Sequence, residues 1–238
     1  MADWARVMDT AITTTDAPAA LVRLMHLVSP SLPIGGFTYS QGIEWAVEAG
    51  WIGSASDLEA WLGGQLRGAV ARLDLPLLTR MQDAVAAGDP AALGRWTDWL
   101  IAARETAELR AEEANRGRAL ADLLIALDLP GAPAWRAELA RSQAAGFAFA
   151  AAAWGISRRE AALGYAWAWL EGLVLAAVKI VPLGQTQGQQ VLARLAGELP
   201  EQVARALALD EGEIGAASPA LAIASSAHET QYTRLFRS

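Results

Sequence analysis

The sequence predicts an all-α protein, a compact single-domain bundle of about eight to ten helices around a central apolar helix. Three observations carry this. Alanine and leucine dominate a 238-residue chain that is 53% hydrophobic, enough apolar material for a full core. Nowhere do apolar and polar residues alternate with the period of two that a half-buried strand needs. Helix start and stop signals recur along the whole chain.

In order, residues 1–16 read as a flexible leader, 17–227 as one helical domain and 228–238 as a polar tail. Asp16 caps a first helix to about Val28, with Leu21, Leu24, Met25 and Val28 on one apolar stripe. SPSLPIGGFTYSQG (29–42) stops it, because two prolines and a glycine pair do not continue a helix. A second helix covers about 40–49 and ends at Gly50. Ser56, with Glu59 three residues on, has the spacing of a capping box. The helix behind it puts Leu58, Trp61, Leu62, Leu66, Ala69, Val70 and Leu73 on one face.

Pro76 stands near the start of the next helix, which Gly88 closes. Asp89 and Pro90 read as N-cap and first turn of a segment that bends and runs to about Leu127. Its middle, RETAELRAEEANRGR, reads as a solvated face laced by pairs such as Glu112–Arg116. LPGAP (129–133) is a loop, and an alanine-rich helix suited to close packing spans about 134–154. Ser157 and Glu160 form a second capping box, opening the central helix that runs to the residue before Pro182. Shorter helices follow at about 186–196 and 200–208, and Ser218-Pro219 begins a last one. Gln185, Gln187 and Gln189 can satisfy backbone groups at the junction after Pro182.

Composition excludes several function classes. Cysteine is absent, which removes disulfides, thiolate metal sites and a cysteine nucleophile. A net charge of −7 argues against nucleic acid as a partner. No stretch reaches ~18 uncharged apolar residues, and the N-terminus lacks a signal-peptide pattern, so the expectation is no membrane partner and a cytoplasmic location.

Catalytic motifs nearly form and then fail. IGGFTYSQG lacks the GK[ST] ending of a phosphate loop. Ser40 in TYSQG has Thr38 where a nucleophile elbow has glycine. HETQY has Tyr232 where a zinc helix needs its second histidine. His26 and His228 are the only histidines, so a metal site would lean on carboxylates. His26 itself reads as a hydrogen-bonded surface or interface residue. What remains is an interaction or scaffolding protein, expected to hold no catalytic residue, no tightly bound cofactor and no metal. One lysine, Lys179, interrupts the apolar run LVLAAVKIVPLGQ. It can snorkel, pair with a buried carboxylate, or project as a contact for a partner.

Four stretches, in order, resemble the UreF family of urease accessory proteins: SPSLPIGGFTYSQGIEWAVEAGWI (29–52), RETAELRAEEANRGRAL (104–120), AAVKIVPLGQTQGQQVL (176–192) and AIASSAHETQYTRLFRS (222–238). The resemblance implies an all-helical homodimer that works with UreD (UreH in some species) and the GTPase UreG to deliver nickel to apo-urease. The nickel is handled by the complex, and UreF proteins are not known as enzymes.

It also implies that the positions of Glu44 and Lys179 belong to a surface meeting other accessory proteins, and both residues are expected to help its UreG-facing side. The tail residues His228, Glu229, Tyr232, Arg234, Leu235, Phe236 and Arg237 are expected to order on binding UreD. Pro33, Gly35, Gly36, Phe37, Tyr39, Ser40, Gln41 and Gly42 are expected to shape a dimer or contact surface, their glycines also permitting tight turns. The competing expectations are a direct nickel-binding chaperone and an unrecognised helical enzyme.

Overall fold

The computed structural model describes residues 17–238. The expected leader, 1–16, lies outside the described residues. The chain is an all-α single-domain bundle, with no strand among the described residues. Its helices are α1 (Ala17–Leu27), α2 (Ile43–Glu48), α3 (Ala55–Gln65), α4 (Leu75–Ala86), α5 (Pro90–Ala102) and α6 (Ala107–Ala126). They continue as α7 (Ala132–Leu139), α8 (Gln143–Ala153), α9 (Arg158–Ile180), α10 (Gln185–Ala196), α11 (Leu199–Ala208) and α12 (Pro219–His228). Short 3₁₀ turns cover Gly36–Thr38 and Glu211–Glu213.

The central helix is α9. Its capping box is complete: Ser157 Oγ accepts from Glu160 N, and Glu160 accepts from Ser157 N. It packs against α1, α2, α4, α8, α10 and α11 and against the Gly36–Thr38 turn. One apolar cluster surrounds its first half with α4, α6 and α8, and a second surrounds its latter half with α2, α3 and α10. Trp167 and Trp169 border both. By length and composition α9 could cross a bilayer, but 56% of its most apolar window is buried inside the bundle.

Alanine and glycine let α8 approach its neighbours closely. A Cβ on Gly146 would stand 2.8 Å from Leu120 Cδ2, and one on Gly117 would stand 2.7 Å from the Ser142 backbone.

Several boundaries differ from the expectations. Residues 55–86 form one uninterrupted helical rod, because a π-helical stretch, Leu66–Asp74, joins α3 to α4. Pro76 does not break it. The proline has no N–H to offer Arg72 O four residues back, and Gly215 N donates to that oxygen at 3.0 Å. The cap of α3 is Ser54 rather than Ser56: Ser54 is extended and its Oγ accepts from Asp57 N. The second helix starts three residues later than expected, after Gly42 in a left-handed turn.

The segment 90–127 is two helices, since Thr106 is extended and caps α6 through Leu109 N. The alanine-rich segment also divides, with Ser142 capping α8. The stripe on α1 is rotated. Leu24 and Val28 press on Gly164 of α9, while Leu21 and Met25 are exposed.

Candidate functional site

The site is built where the C-terminal tail closes on the glycine loop. Gly35 and Gly42 have φ of 72° and 77°, and Gln41, immediately before Gly42, has φ of 48°. Gly42 also lets α12 approach: a Cβ there would lie 3.0 Å from Ala224 Cβ and 3.1 Å from Ser225 N. Behind this turn, Ser40 N and Ser40 Oγ both donate to Ser238 O, at 2.7 and 2.6 Å. Arg237 N donates to Thr38 O at 2.8 Å. Ser238 Oγ donates to Glu112 at 3.3 Å, and the serine is fully buried.

Glu44 holds the next residues of the tail. One carboxylate oxygen accepts from Leu235 N at 2.6 Å and the other from Phe236 N at 2.9 Å. His228, with no exposed side-chain surface, bridges Glu44 (Nε2, 3.2 Å) and Glu108 (Nδ1, 2.7 Å). Glu108 also pairs with Arg234 at 2.9 Å. Glu229 accepts from Ala107 N at 3.0 Å, placing a carboxylate on the positive end of α6. Phe236 is buried, and Lys179 Nζ lies 5.7 Å from its ring centroid. Tyr232 and Leu235 remain exposed.

A second layer of charge lies beneath. Arg104 pairs with Asp74 at 2.9 Å and with Glu113 at 2.7 Å, and Arg116 pairs with Glu112 at 2.7 Å. Gln41 links the layers, donating to Glu112 and accepting from Trp169 Nε1. Burial raises the Asp74 carboxyl above its ordinary value, partly opposed by Arg104. At Arg104 burial works against the charge, but Asp74 and Glu113 outweigh it and hold the guanidinium well above its usual range. Burial, helped by Glu113 and Asp74, lifts the Tyr165 phenol well above 10.0. The solvated-face reading of 104–118 is therefore corrected: Glu112 and Glu113 are 4% and 7% exposed. Beyond the end of α5 at Ala102, Arg104 pairs with Glu113, while Glu112 pairs with Arg116 and accepts from Gln41.

The structure brings together residues that the sequence reading placed on separate surfaces. Glu44 was expected on an outward surface, and its carboxylate instead faces the tail. Lys179 is exposed and has no carboxylate partner within salt-bridge distance among the described residues, which leaves it against Phe236. Ser40, Gln41 and Gly42 contact the tail, α12 or Glu112, Tyr39 OH accepts from Asn115 at 3.3 Å, and Phe37 stays exposed. Pro33, Gly35 and Gly36 shape the loop. Sequence reasoning missed Glu108, Glu112 and Ser238. The signal for the two carboxylates was their place inside RETAELRAEEANRGRAL, one of the four stretches quoted above, but pairing across more than 100 residues is not written in local spacing. His26 is exposed. Among the described residues no three His, Asp or Glu side chains converge on a metal-sized point. His228 holds its two carboxylates on opposite ring nitrogens, so they cannot meet at one ion.

Comparison with known proteins adds an independent line. The sequence model of the family described as UreF matches residues 52–196. A protein of Pseudomonas putida strain GB-1 named "Urease accessory protein UreF" is 55% identical over 219 residues, covering 92% of this chain and 98% of the other. Proteins of the same name from Alcanivorax borkumensis and Klebsiella pneumoniae are 51% and 48% identical. They cover 92% and 91% of this chain, and 99% and 97% of their own lengths.

Proposed function

Because the chain belongs to the UreF family of urease accessory proteins, we propose that it is a non-catalytic scaffold of urease maturation. In this reading it acts in the cytoplasm, joins UreD (UreH), recruits and regulates the GTPase UreG, and serves nickel insertion into apo-urease. Nickel is the cargo of the assembled complex.

One observation carries the reading: the loop, the tail and Lys179 form a single composite surface. The seated face of the tail uses its backbone donors on Glu44 and Thr38 and its last carbonyl on Ser40. That leaves Tyr232 and Leu235 outward as anchors, with Lys179 as a charge beside Phe236. In the proposed assembly the outer edge of the tail meets UreD, and the side bearing Lys179 meets UreG. The exposed apolar residues Leu21, Val22 and Met25 of α1 support a homodimer.

Co-expression with the cognate UreD and UreG tests the proposal. The expected result is a ternary complex, with urease activation that requires this chain. Removal of residues 228–238 is expected to abolish co-purification with UreD, and an intact complex would refute the assignment of the tail. Equilibrium dialysis addresses the nickel chaperone: tight stoichiometric nickel binding by the isolated chain would replace the scaffold reading with that one.

A further inference from the structure

Three buried polar atoms lining one cavity have no hydrogen-bond partner among the described residues: Gln65 Nε2, Glu113 Oε2 and Arg116 Nε. Asp74, whose Oδ1 is paired with Arg104 at 2.9 Å, lines the same space and adds a carboxylate oxygen with further capacity to accept. Gln65, Asp74 and Glu113 are each 7% exposed. The cavity measures about 50 Å³ and lies between the π-helical stretch, α6 and α9. Gln65 immediately precedes the π stretch and Asp74 ends it, so both ends of this irregular turn face the same space. Local π geometry of this kind recurs where a helix must accommodate a site.

The pattern of groups selects the occupant. Two of the four atoms are N–H donors and two are carboxylate oxygens. A metal ion would serve only the carboxylates and would face the Arg104 and Arg116 charges. An anion would serve only the donors and would face Asp74, Glu112 and Glu113. A neutral species that both donates and accepts satisfies all four, and water is the smallest.

We propose that this cavity is a built-in hydration site. It clears the ~10–15 Å³ that admits one water and, at the ~30 Å³ that each takes in the liquid, holds about two ordered molecules bridging Gln65, Asp74, Glu113 and Arg116. These waters complete the junction between the π stretch and α6. They also lie directly behind the seat of the tail: Glu112 lines the same cavity and accepts from Gln41, Arg116 and Ser238.

A crystal structure of the full chain, at a resolution that places solvent, tests this directly. The expected density is a water cluster within hydrogen-bond distance of the four atoms. A dry cavity, or density for a different molecule, overturns the proposal. Gln65→Leu, close in volume, gives an opposite-sign test. If water bridges the amide, the variant strands that water and Tm falls by roughly 2–4 °C. If the amide is unpartnered, deleting it raises Tm, and that result also overturns the proposal.

Discussion

The ammonium of Lys179 lies 5.7 Å from the ring centroid of Phe236, joining the single lysine of the chain to the third residue from its C-terminus. Such a contact at an exposed site contributes ~0.5–1 kcal/mol. It is too weak to hold the fold and strong enough to fix the direction of a charge. Lys179→Ala is therefore expected to keep helical content and to change Tm by less than about 4 °C, while urease activation in the co-expressed system drops. A variant that loses its circular dichroism signal would make the lysine a structural residue.

Glu44 is the clamp on the other side of Phe236. Hydrogen bonds to a charged acceptor contribute ~1.5–3 kcal/mol each. Glu44→Ala removes two such bonds to the tail backbone and one contact to His228. The tail should undock, with amide protection at Leu235 and Phe236 falling by at least ~10-fold. Unchanged hydrogen exchange there would show that Ser40 and Arg237 hold the tail alone.

Gly42 and Gly50 make a matched pair. Both have left-handed φ, 77° and 73°, but a Cβ at Gly42 meets α12 whereas one at Gly50 meets nothing within 4 Å. Gly50→Ala should cost only the conformational strain, ~1–2 kcal/mol. Gly42→Ala should cost ~1–3 kcal/mol more through overpacking and should loosen the tail as well. Equal urea midpoints for the two variants would contradict the close approach of α12.

Asp74 makes stability depend on pH. Burial raises its folded-state pKa above 3.8. The folded chain then holds the proton more tightly than the unfolded chain, so the contribution is full below 3.8 and is lost as pH rises through the folded value. Asp74→Asn lacks this loss. From about pH 4 to about pH 7, its urea midpoint should therefore move in its favour relative to wild type, whatever the fixed cost of weakening the Arg104 pair. Parallel pH profiles for the two proteins would rule the effect out.

Much of the bundle was legible locally. Ser157 with Glu160, Asp89 with Pro90, and Gly88 mark helix ends where the structure has them, because caps act within one turn. The break before Thr106 was missed because the charged residues on both sides are good helix formers, and the break depends on where Arg104 finds its carboxylates. The α1 stripe was misassigned for a related reason. Periodicity says that one face is apolar, while Gly164 of α9 decides how far that face is rotated.

By itself the sequence determined that this protein is helical, which segment is its center and which short motifs stand apart from packing. These follow from propensity, capping and periodicity, all of them interactions between near neighbours in the chain. Only the tertiary structure decided what those motifs do to one another. Glu44 and His228 are 184 residues apart, and Ser40 and Ser238 are 198 apart. Their meeting depends on α12 crossing α2 at Gly42, a contact set by the packing of the whole bundle. That packing turns a loop motif, a lone lysine and a polar tail into one surface.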